Sequence, residues 1–174
     1  MPFKLKPARL EDRPVVHEML ACSDATAQMM GPPDYCDHPV PSYGEFCEDY
    51  DEEAFAPEGE FRIFMMELDG RDIGVIHYWQ NGTVAEIDLW IAGRNDWGQG
   101  HGSSAIRKVA AVLKEETPAK TMIIRPSARN RRAIAAYRKA GFEPFEPTRH
   151  CLPDWCLAEG FDYDDAVVLV KTLR

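Results

Sequence analysis

The sequence predicts a mixed α+β fold in which helices interrupt a largely antiparallel set of strands, and three observations carry that expectation. Three consecutive runs rich in β-branched and aromatic residues, FRIFMMEL, DIGVIHYWQ and VAEIDLWIA, are separated by DGR and NGT, which are hairpin signals. After them, glycine-rich WGQGHG leads into SSAIRKVAAVLKEE, where Ile106, Val109, Ala110 and Leu113 recur at helical spacing. The chain then alternates again: TMIIRP is a strand ended by Pro126, NRRAIAAYRKAGF is a helix closed near Gly141, and DDAVVLVKTL is a last strand.

The N-terminal part follows the same logic. FKLKPA alternates and reads as a first strand. LEDRPVVHEMLA places Val15, Val16, Met19 and Leu20 on one helical face, with Asp12 as cap and Pro14 in the first turn. MMGPPDYCDHPVPS is a loop by its clustered Pro and Gly, and SYGEFCEDYDEEAF a second helix capped by Ser42. At 174 residues, without internal repeat or linker, one domain spanning residues 1–174 is expected.

Composition bounds the function. A hydrophobic fraction of 45% and an aromatic fraction of 10% exclude a disordered chain. No run approaches the roughly 18 apolar residues of a membrane span, and the N-terminal residues lack the apolar core of a signal peptide, so a cytoplasmic location is expected. Cys22, Cys36, Cys47, Cys151 and Cys156 show no metal-ligand spacing and are expected as reduced thiols, with no metal. The net charge of −9 is unevenly spread. No Lys or Arg lies between Arg13 and Arg62, an interval rich in Asp and Glu, whereas Arg94 to Arg149 holds twelve Lys and Arg. One end of the chain suits a cation and the other an anion; nucleic acid and membrane are not expected as partners.

Two motifs carry chemistry. Glycines between a strand and a helix let backbone N–H groups approach phosphate oxygens at the helix N-terminus, although WGQGHG alone is equally a plain strand-to-helix turn. Asn130 opens the later helix and Tyr137 sits two turns on along the same face, within N-x-x-A-x-x-x-Y-x-K-x-G-F. With EIDLWIA, residues 97–102, TMIIR and residues 130–142 in this order, the chain resembles the GNAT superfamily over about residues 84–146. The segments around Asp88 and from Pro126 to Phe142 are most similar to the aminoglycoside 6′-N-acetyltransferases.

The resemblance implies a GNAT-like sheet of six or seven strands, flanked by about four helices, with acetyl-CoA wedged where the fourth and fifth strands diverge. It implies that the pyrophosphate lies on Trp97, Gly98, Gln99, Gly100, His101, Gly102 and Ser103. The pantetheine arm would run beside Trp90, Ile91 and Ala92, near Asn130, Ala133 and Lys139. Trp97 departs from the family pattern, which has Gln or Arg there.

Tyr137 is expected as the acid facing the departing thiolate, since a phenol with pKa near about 10 donates a proton or a hydrogen bond; on an amphipathic helix it also reads as core. Asp88 interrupts an apolar strand, where Asp is disfavoured, and is expected to hold or deprotonate the acceptor amine unless that face is solvated. Glu86, two residues earlier, shares its face and forms a paired-carboxylate candidate, and Trp79 is a candidate on the adjacent strand. Arg125 stands where the aminoglycoside enzymes often carry an acid. The expected activity is transfer of acetyl to a small-molecule amine, an aminoglycoside or polyamine, by a monomer or homodimer. Acetylation of a protein N-terminus, a lysine or a siderophore precursor stays open, as does a non-catalytic acyl-CoA-binding module.

Overall fold

A computed structural model describes residues 3–29, 40–157, 163 and 165–173. The strands are β1 (Phe3–Pro7), β2 (Phe61–Leu68), β3 (Arg71–Asn81), β4 (Val84–Ile91), β5 (Thr121–Ile124), β6 (Glu143–Pro144) and β7 (Leu169–Thr172). The helices are α1 (Arg13–Ala21), the single turn α2 (Thr26–Met29), α3 (Tyr43–Asp49), α4 (His101–Glu116) and α5 (Arg131–Lys139). One sheet of seven strands runs in the order β1-β2-β3-β4-β5-β7-β6. Every neighbouring pair is antiparallel except β4 and β5.

Alternation along the central strands sorts side chains onto two faces. Ala85, Ile87 and Leu89 of β4, with Ile76 and Tyr78 of β3, join Ile106, Val109 and Leu113 of α4 in the larger core. Each fully buried aliphatic side chain there is worth about 1.5–3 kcal/mol, so Leu113→Ala would cost roughly 2–5 kcal/mol. Trp90 and Val75 face the other way, toward Val16, Met19 and Leu20 of α1 and Phe46 of α3.

The expected helix starts are displaced in instructive ways. The Asp12 carboxylate accepts from Arg9 N–H at 2.9 Å, capping the short turn before α1 rather than α1 itself. Val15 is 39% exposed, one position off the buried stripe of Val16, Met19 and Leu20. Ser42 does cap α3 in a capping box with Glu45. That helix stops at Asp49, because Asp51 turns its carboxylate onto Ala54 N–H at 3.0 Å and starts a separate turn at Glu53–Phe55. The last strand is shorter than DDAVVLVKTL, and β6 pairs with it as a strand too short to show periodicity. Most of the MMGPPDYCDHPVPS loop, including Asp34, Cys36 and Asp37, lies outside the described residues, as does Asp164. No helix among the described residues is long and apolar enough to cross a membrane.

Candidate active site

The site begins where the parallel pair opens. Val84, Ala85 and Glu86 pair with Thr121, Met122 and Ile123, and beyond Glu86 strand β4 continues to Ile91 without β5 beside it. Ala92 N–H donates to Ile73 O at 2.9 Å, so strand alternation turns the N–H groups of Trp90 and Asp88 toward β3 as well. Those of Leu89 and Ile91 turn to the open side. Leu89 N–H is taken by the Asp88 carboxylate at 2.8 Å. Of the Trp90, Ile91 and Ala92 amides, that of Ile91 alone faces the gap.

The glycine-rich loop closes one side of this gap. Gly98 and Gly100 have φ of +75° and +87°, a backbone region that favours glycine, and a Cβ on either would meet no protein atom within 4 Å. Ser104 N–H makes the first bond into α4, to Gly100 O at 3.0 Å, leaving the amides of His101, Gly102 and Ser103 at the helix mouth. Two contacts hold the loop. Arg71 grips the buried carboxylate of Asp96 through bonds of 3.0 and 2.9 Å, which hold the Asp96 pKa below its ordinary value. The Trp97 indole donates to Ile91 O at 2.7 Å.

A cleft of about 270 Å³ results, lined by Leu89, Trp90, Ile91, residues 96–98, residues 100–103 and the α5 face from Asn130 to Lys139. Within it the expected residues take different roles. The Asn130 side chain caps α5 by accepting from Ala133 N–H at 3.2 Å. The Ser103 hydroxyl donates to Ala136 O at 3.2 Å, tying α4 to α5. Gln99 turns back on Asn95 O. The His101 ring stacks on Phe3.

A smaller chamber of about 50 Å³ adjoins, lined by Glu86, Asp88, Arg125, Ser127, Tyr163 and others. Asn130 and Tyr137 line both spaces, which brings Asp88 and Tyr137 together at the junction. Burial, reinforced by the Asp88 charge, pushes the Tyr137 phenol well above its ordinary pKa. It is therefore a neutral hydroxyl at any working pH.

Two expected residues stand apart. Glu86 shares the Asp88 face, but Arg125 binds it through two bonds of 2.6 and 2.8 Å, so the carboxylates do not act as an equivalent pair. Trp79 opposes Glu86 across the strands, yet it packs edge-on to Trp155 and lines a separate acidic bowl with Asp49, Asp51, Glu53, Glu58 and Glu60. Sequence reasoning missed Tyr163, which reaches the chamber from a segment without a motif and donates to Met29 O. On β3, His77 opposes Asp88 and packs among Tyr50, Phe61 and Trp90.

The family model of the GNAT acetyltransferase domain matches residues 3–143. The chain belongs to the GNAT acetyltransferase family. Among similar solved structures, the aminoglycoside acetyltransferase AAC(6')-Ib in complex with ribostamycin and coenzyme A is 23% identical, with a TM-score of 0.74 over 99% of this chain and 94% of that one. The same enzyme with paromomycin and acetyl-CoA is 22% identical, with a TM-score of 0.72 over 99% and 94%. Spermidine N-acetyltransferase from Vibrio cholerae, in complex with CoA and spermine, is 18% identical, with a TM-score of 0.72 over 98% and 95%. At these identities the likeness shows a shared GNAT fold. Within this GNAT domain, the gap between β4 and β5, the glycine loop and the start of α5 all fall inside the matched residues.

Proposed function

We propose that this chain transfers acetyl from acetyl-CoA to a primary amine of a cationic small molecule, an aminoglycoside or polyamine. The observation that carries the reading is the meeting of two differently built spaces at Tyr137. One is walled by helix-mouth amides and glycines, the other holds Asp88. The first fits acetyl-CoA: the glycines leave room for a pyrophosphate, and the amides of His101 to Ser103 point donors at it. Acetyl-CoA bound there supplies a thioester carbonyl for attack and a thiolate to leave.

The chain's own residues would then do four things. Asp88 holds the acceptor ammonium beside the gap and takes its proton, directly or through water. Ile91 N–H donates to the oxygen that gains charge during attack. Tyr137, whose raised pKa opposes full loss of its proton, donates a hydrogen bond to the departing sulfur. The acidic bowl from Asp49 to Glu60 raises the local concentration of a polycation. The aminoglycoside and spermine complexes among the similar structures support a cationic acceptor.

Two measurements test the reading. Saturating acetyl-CoA should raise the melting temperature, and Gly100→Val should abolish the rise. A panel of primary amines, followed by release of free thiol, should single out polycations; preference for neutral or anionic acceptors would overturn the assignment.

A further inference from the structure

The cleft contains a cationic feature that the glycine loop does not explain. The Arg132 guanidinium lies over the face of Trp97, with its central carbon 3.6 Å from the ring centroid. The Arg94 guanidinium carbon is 5.6 Å from the same ring. Two like charges are thus gathered on one indole, and after burial the nearby Arg94 is the next cause that lowers the Arg132 pKa. Arg71, Arg125, Arg129 and Arg149 each have a carboxylate within 3.2 Å, and Arg94 has Asp24 at 3.9 Å. Among the described residues, Arg132 has no acidic partner.

We propose that Arg132, laid flat on Trp97, is a pyrophosphate-binding residue for acetyl-CoA that adds a side-chain contact from α5 to the backbone N–H groups of the glycine loop. The proposal rests on the acetyl-CoA reading above. Trp97, Arg132, Gly98 and Gly100 all line the same cleft. The indole is oriented by its bond to Ile91 O, so it offers a fixed face. Stacking occupies the plane of a guanidinium and leaves its edge N–H groups for an anion, which a lysine at this position could not reproduce.

The test is calorimetric titration of the full chain with acetyl-CoA, acetyl-3′-dephospho-CoA and S-acetylpantetheine. Arg132→Ala should weaken acetyl-CoA by about 10- to 100-fold, the range of a charge-assisted hydrogen bond, with the melting temperature of the free protein little changed. The same factor should appear with the dephospho ligand and vanish with S-acetylpantetheine, which has no phosphate. Trp97→Leu should reproduce the loss, and the double variant should add nothing further. Arg132→Lys should recover only a small part. Unchanged acetyl-CoA binding in Arg132→Ala would overturn the proposal, as would a loss confined to ligands with the 3′-phosphate. A wild-type protein that binds none of the three ligands would overturn the acetyl-CoA reading as well.

Discussion

Arg125 holds Glu86 in a two-bond fork of 2.6 and 2.8 Å at the floor of the chamber that contains Asp88. Arg125→Ala removes the counter-ion from a partly buried carboxylate, which should lower stability by about 1–3 kcal/mol. It also adds negative potential next to Asp88. KM for a diamine should therefore fall in the variant, most clearly at low ionic strength, and titration of KM against salt checks this.

Tyr137→Phe keeps the ring packing and removes the hydroxyl. We expect kcat to drop about 10- to 1000-fold while acetyl-CoA affinity stays unchanged. Because burial raises the phenol pKa, the donor form persists above pH 10, and the wild-type rate should show no alkaline loss attributable to Tyr137. Wild-type turnover in the variant would make Tyr137 a core residue only.

Asp88→Asn should reduce kcat/KM for a polyamine even at high salt, since a group in contact is poorly screened. Neutralising Asp49, Asp51 and Glu53 in the outer bowl should instead flatten the ionic-strength dependence and leave kcat in place. Equal effects from both sets of variants would contradict separate holding and steering roles.

The His77 ring is enclosed by Tyr50, Phe61 and Trp90, and burial lowers its pKa from 6.5 to about 4. The unfolded chain thus binds the extra proton first as pH falls. Stability should be constant above pH 6.5 and decline toward pH 4, by up to about 3 kcal/mol from this group. Urea melts of wild type and His77→Gln between pH 7 and 4 should differ in slope over that window.

Gly74 opposes Ile91, where a Cβ would lie 2.3 Å from Trp90 O. Gly74→Ala would force β3 away from the end of β4, costing roughly 1–3 kcal/mol or more. Because β4 borders the cleft, acetyl-CoA affinity should fall with stability, readable as a smaller ligand-induced rise in melting temperature.

Legibility followed the range of the interactions. The β2–β3–β4 meander and the cap at Ser42 were readable because turn residues and capping boxes are local. So was the position of Tyr137 relative to Asn130, which one helix fixes. The pairing of Arg125 with Glu86, 39 residues apart, and of Arg71 with Asp96, 25 apart, left no trace in spacing, since each depends on strands joined across the sheet. The face of β3 was likewise hidden. His77 and Trp79 turn to the Asp88 side while Tyr78 is core, and a run apolar on both sides does not announce which.

The three-rung junction between β4 and β5 has a consequence for hydrogen exchange. The inner half of β4 is bonded on both edges, while its outer half is bonded only toward β3. In the ligand-free protein the Ile91 amide, which faces the gap, should exchange with deuterium far sooner than that of Ala85. The Leu89 amide, capped by the carboxylate of Asp88, should exchange at an intermediate rate that quickens when Asp88 is replaced by alanine. A ligand arm seated in the gap would act as the missing neighbour strand, and slowing confined to Leu89 and Ile91 would mark where it lies.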